Sequence, residues 1–222
     1  MRFTDLLRQE AGPIWEAEKQ HPFVRGIGDG SLPLDRFRFY LLQDYLFLIE
    51  FSRIFALGAA RAGDLATMQH FASLLHETLH TEMALHKRYG ERFGISPAQM
   101  EAAEPAPTTI AYTRYMLEAA WRGTTADLAA AVLPCQWGYA EIGRHLKETG
   151  DTSEANPYRD WILLYSSEEF KATGDWLREH LDRAATESGT GDRERWRALF
   201  LTGSRYEYLF WEMSWRQERW PV

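Results

Sequence analysis

The chain has 222 residues, 45% hydrophobic and 26% charged, a composition that suits a soluble globular protein able to bury a sizeable core. A formal net charge of −7 without any Lys/Arg cluster argues against nucleic acid as a partner. There is no run of about 18 apolar residues to span a membrane, the start MRFTDLLRQE lacks a signal-length apolar stretch, and a single cysteine rules out an internal disulfide and fits a reducing cytoplasm.

No segment alternates like a strand. Long stretches of helical period are separated by Gly- and Pro-bearing joints at residues 21–33, 104–107, 150–157 and 188–191. The first helix is expected from Thr4, as N-cap, to Lys19. The second begins near Pro33 or Asp35 and reaches Ala62. Its apolar stripe is Phe37, Tyr40, Leu41, Phe47, Leu48, Phe51 and Phe55. A third runs from Asp64 to Phe93, with Gly94 as its stop. A fourth covers Thr108 to Trp121, and a fifth Thr124 to Lys147, with Pro134 expected to kink it just before Cys135. The sixth opens on Asn156 and Pro157, an N-cap followed by proline, and continues to Ala185 with a bend expected at Gly174. The seventh spans Asp192 to Trp215. Seven helices with short joints predict an all-α multi-helix bundle in a single domain.

The informative residues are polar ones that fall inside apolar stripes. Asp44 lies four residues after Tyr40 and four before Leu48. Glu207 falls among Trp196, Phe200, Gly203, Phe210 and Trp211. Cys135 and Tyr139 share a face with Val132 and Ile142, and Tyr165 follows Trp161 by four. Burying an unpaired carboxylate costs several kcal/mol, so two such residues point to a polar cavity. Each also has a plainer reading: a carboxylate at the stripe's edge or paired with arginine, a cysteine as a small core hydrophobe, a tyrosine as packing.

The third helix also contains His76-Glu77-Thr78-Leu79-His80, a match to HExxH, and within it an ExxH of the di-iron kind. Neither pattern is completed. The next histidine is His86, at the wrong spacing for the extended protease motif, and no second ExxH exists, because Glu141 and His145 are four apart. A solvated helix face accounts for the match, and no metal is assigned.

Together these segments resemble the TenA/thiaminase II family. The residues that carry the resemblance are His21-Pro22-Phe23-Val24-Arg25-Gly26-Ile27-Gly28-Asp29-Gly30-Ser31-Leu32-Pro33, then Tyr40-Leu41-Leu42-Gln43-Asp44. They continue in Leu133-Pro134-Cys135-Gln136-Trp137-Gly138-Tyr139 and Tyr206-Glu207-Tyr208-Leu209-Phe210-Trp211, with Tyr112 and Tyr165 at matching places. The likeness covers essentially the whole chain. It implies a heme-oxygenase-like α-bundle assembled as a homotetramer, working without metal or organic cofactor. It also implies hydrolysis of 4-amino-5-aminomethyl-2-methylpyrimidine to the hydroxymethyl pyrimidine and ammonia in thiamine salvage, or cleavage of thiamine itself. On this likeness Cys135 is the nucleophile and Glu207 the acid, while Asp44, Tyr139 and Tyr165 bind the pyrimidine. Tyr112 supports the nucleophile, as would the tyrosine that many members carry where this chain has Phe47.

Two rival classes are weighed against this reading. A metal-dependent or PQQ biosynthesis protein C-like oxidase on the same bundle needs metal ligands or a basic pocket. A non-catalytic pyrimidine-binding or regulatory protein acting on DNA is disfavoured by the acidic charge and the absence of a helix-turn-helix signal.

Overall fold

Where the sequence pattern has period 3.6, the computed structural model, which describes residues 1–222, is helical throughout. It contains twelve α-helical segments, one π-helical turn and no strand. The segments are α1 (Phe3–Glu10), α2 (Gly12–Gln20), α3 (Pro22–Asp29), α4 (Leu34–Arg61), α5 (Leu65–Glu77), the π-turn (Thr78–Glu82) and α6 (Met83–Arg92). They continue with α7 (Pro97–Glu101), α8 (Pro107–Arg122), α9 (Thr125–Thr149), α10 (Arg159–Tyr165), α11 (Glu168–Glu187) and α12 (Thr190–Arg216).

The all-α class stands, but the expectation of about seven helices is corrected. Three expected helices are subdivided, and two short ones are added, α3 in a segment read as a joint and α7 in the stretch between the third and fourth expected helices. The first breaks at Ala11, because Pro13 sits in the first turn of α2 and cannot donate to the carbonyl four residues back. The third is interrupted by the π-turn, in which the Met83 N–H reaches back five residues to the Thr78 carbonyl.

The sixth breaks after Tyr165 and not at Gly174. Ser167 restarts the chain as N-cap of α11 by accepting from the Phe170 N–H, and Glu168 and Glu169 follow in the first turn. Asn156 does not cap α10. Its side chain accepts from the Tyr158 N–H at 2.9 Å and donates to the carbonyls of Asp151 and Ile27.

The unpredicted α3 follows from the same Gly and Pro residues that suggested a joint. Pro22 occupies the first helical position. His21 caps it by accepting the Phe23 N–H on Nδ1, and Gly30 ends it with φ +75°. Helix α9 runs as helix through Pro134. At its other end Thr124 and Asp127 form reciprocal side-chain to backbone bonds that satisfy its first N–H groups.

The chain divides into two compact units, each assembled from two stretches. The first comprises residues 1–32 and 129–212, and the second residues 33–128 and 213–222. In the first, Trp15 is buried between Trp137 and Phe200, and its indole N–H donates to Ser204 at 2.9 Å. Trp161, Tyr165 and Trp211 are wholly enclosed there. In the second, the predicted stripe of α4 is buried in full, and Phe37 meets Tyr89 and Phe93 edge-on. Each aromatic removed from water contributes about 1.5–3 kcal/mol.

Candidate active site

In the first unit, Cys135, Tyr139, Tyr165 and Glu207 are all buried. Cys135 and Tyr139 stand one turn apart on α9. The Tyr139 ring meets Tyr165 edge-on at 4.9 Å and stacks on Trp211 at 5.1 Å, and Trp161 packs on Tyr165 at 4.5 Å. Trp211 is one turn beyond Glu207 on α12, as Tyr139 is one turn beyond Cys135 on α9, so each of these two residues shares its helix face with a ring of the aromatic cluster. The approach of α9 to the end of α10 depends on Gly143: a Cβ there would lie 2.4 Å from the Tyr165 carbonyl carbon. That places the backbone of Tyr165 directly against the helix that carries Cys135 and Tyr139.

Glu18 on α2 belongs beside Glu207 and was not singled out in the sequence. It is 2% exposed, and its Oε1 has no hydrogen-bond partner. Burial, followed by the negative charge of Glu207, pushes its carboxyl well above the usual carboxylate range. The neighbouring Glu141 behaves oppositely. Burial opposes its ionisation, but two bonds from Arg8, at 3.0 and 2.8 Å, and the ammonium of Lys19 outweigh burial and hold it low. Glu18 was legible as a carboxylate three residues after the buried Trp15, but charged neighbours on α2 hid its orientation.

His21 is neutral by geometry. Its Nδ1 accepts the Phe23 N–H, so Nε2 carries the proton and donates to Glu212 at 3.0 Å, and burial lowers its pKa.

Asp44, Phe47 and Tyr112 lie in the second unit and are likewise buried. The Phe47 ring stacks on Phe51 and lies 5.3 Å from Tyr112. Asp44 is 2.5 Å from His86, which sits on α6 beyond the π-turn. Burial, then the charge of Asp44, pushes the Glu82 carboxyl up to about 8. The signal for Glu82 and His86 was present in the stripe Phe71, Leu74, Thr78, Glu82, His86 and Tyr89, where two ionisable groups stand four apart. His76, Glu77 and His80 of the HExxH match are exposed, and no group of three or more His, Cys, Asp or Glu side chains is arranged to hold a metal ion.

Residues 8–217 match the family model described as the TENA/THI-4/PQQC family. An aminopyrimidine aminohydrolase of Halalkalibacterium halodurans is 50% identical over 220 residues, covering 99% of this chain and 98% of that protein. Among solved structures, a TenA homologue protein from P. horikoshii OT3 superposes with a TM-score of 0.88 at 32% identity, covering 97% of this chain and 99% of that one. A domain with a heme oxygenase-like fold from Shewanella denitrificans gives 0.74 at 15% identity over 98% and 93%, a likeness of fold alone.

Proposed function

The chain belongs to the TENA/THI-4/PQQC family, and on that premise we propose that it is an aminopyrimidine aminohydrolase of thiamine salvage. The observation that carries this reading is half identity, from end to end, with a relative of that activity. The substrate we assign is 4-amino-5-aminomethyl-2-methylpyrimidine, with thiamine as the related substrate.

The chemistry asks for a nucleophile and a proton carrier. Water cannot easily displace an amine from a methylene on an aromatic ring. Addition of a thiolate at ring C6 removes the aromaticity, and the ring electrons can then expel the amine as ammonia from its protonated form. Water adds to the resulting exocyclic methylene and gives up a proton. Loss of the thiolate restores the ring, leaving the hydroxymethyl pyrimidine and ammonia.

In this reading Cys135 supplies the thiolate. Glu207 gives a proton to N1 as the adduct forms and recovers it as the thiolate leaves. A buried carboxyl favours the proton-holding state that this role needs. Asp44 accepts from the 4-amino group, and Tyr139 and Tyr165 hold the ring by packing and hydrogen bonding. Tyr112 and the position of Phe47 support the nucleophile or its pocket.

The enzyme is read as a cytoplasmic homotetramer that needs no cofactor. No helix is long and apolar enough to cross a membrane. Turnover of the aminomethylpyrimidine and of thiamine, compared by mass spectrometry on the same preparation, tests the assignment. Release of ammonia and hydroxymethyl pyrimidine is expected, and inertness toward both substrates would overturn it. Light scattering of the purified protein measures the assembly.

A further inference from the structure

The second unit holds a buried acid–base pair that the steps above leave unexplained. His86 is fully enclosed, and both ring nitrogens are engaged. Nδ1 lies 2.8 Å from the backbone carbonyl oxygen of Glu82. A carbonyl oxygen only accepts, so Nδ1 carries a hydrogen. Nε2 lies 2.5 Å from Oδ2 of Asp44, the short contact of a charge-assisted bond.

With Nδ1 protonated, one proton alone can occupy the contact between the two side chains. Either an imidazolium donates to a carboxylate, or a carboxyl donates to a neutral imidazole. The pair is net neutral in both forms. Burial by itself disfavours the imidazolium, but the charge of Asp44 and the two hydrogen bonds outweigh burial and hold His86 above its ordinary range. The ionic form is therefore favoured. Glu82 adds smaller contributions in the same direction, through its backbone carbonyl and its charge, after those of Asp44.

We propose that His86 is a positioning residue for pyrimidine recognition: it ties down Oδ2 of Asp44, so that Oδ1 is presented as a fixed acceptor for the exocyclic amino group of a 4-aminopyrimidine. The inference rests on the reading of Asp44 as a pyrimidine-binding residue. It also gives the site a substrate-class preference. A 4-oxo pyrimidine would set a carbonyl oxygen against Oδ1, acceptor against acceptor, and leave a buried group unpaired.

Stability alone is a weak reason to retain such a pair. A buried ion pair replaced by well-packed apolar side chains is often no less stable, and the ring of Tyr40, itself packed on Phe37, lies against His86 here.

The test uses the parent protein, His86→Gln, Asp44→Asn and the double variant. Proton NMR of the free parent should show a far-downfield imidazole resonance that Asp44→Asn abolishes; this arm needs no variant of His86. In His86→Gln, KM for the aminomethylpyrimidine and Kd for the hydroxymethyl pyrimidine should rise about tenfold, about 1.4 kcal/mol, with kcat changed less. The double variant should bind no more weakly than Asp44→Asn, because His86 acts through Asp44. Absence of the downfield proton, parent-like binding by His86→Gln, or additive losses would each overturn the role of His86 alone. A parent that neither binds nor turns over the pyrimidine would overturn the assigned function, and with it the role.

Discussion

Glu18 and Glu207 are both buried, and the charge of Glu207 adds to burial in opposing ionisation of Glu18. The folded chain therefore holds a proton on Glu18 that the unfolded chain releases. The sign follows from linkage: stability is fully present below the ordinary carboxyl range and declines as pH rises toward the folded value. Glu82, at about 8, acts in the same sense over the window from about 4.5 to about 8. Glu18→Gln and Glu82→Gln should each flatten part of the fall in melting temperature between pH 5 and pH 8. Thermal unfolding at several pH values measures this. Variants whose melting temperatures track the parent at every pH would show that neither carboxyl holds its proton in the fold.

Cys135→Ser should leave the fold and binding of the hydroxymethyl pyrimidine intact while turnover falls by orders of magnitude. A serine hydroxyl lacks the acidity and the nucleophilicity of the thiol. Single-turnover kinetics beside calorimetric binding separate the two effects, and residual turnover near the parent's would exclude covalent catalysis.

Gly143→Ala probes the close approach of α9 to Tyr165. The added methyl would have to displace backbone atoms of Tyr165 and Ser166 at 2.4 and 2.7 Å. Overpacking of this kind costs about 1–3 kcal/mol. We expect lower stability and, because Tyr165 carries the edge-on contact with Tyr139, weaker substrate binding. Denaturant unfolding and KM, measured together, check both; an unchanged midpoint would mean the contact relaxes freely.

Phe47→Tyr tests the departure from the tyrosine common in the family. The ring is buried, stacked on Phe51 and near Tyr112. We expect turnover to rise several-fold at unchanged melting temperature. Should the hydroxyl be buried without a partner, it would instead cost about 1–3 kcal/mol, and lower stability without kinetic gain would assign Phe47 to packing alone.

By itself the sequence determined the helical class, the buried face of α4, and the burial of Asp44, Cys135, Tyr139, Tyr165 and Glu207, because a period of 3.6 fixes which side of a helix faces inward. The family segments likewise gave the chemistry to expect. The tertiary structure decided where the long helices break, because a π-turn, or a serine that caps a new helix after a short turn, wins only against particular neighbours. It also decided the partners of the buried charges. Nothing within α4 marks Asp44 as bound to a histidine 42 residues away, and nothing within α2 places Glu18 in the field of Glu207 on the last helix. Such pairings are set by packing between elements distant in the chain, and packing between elements is what local periodicity leaves open.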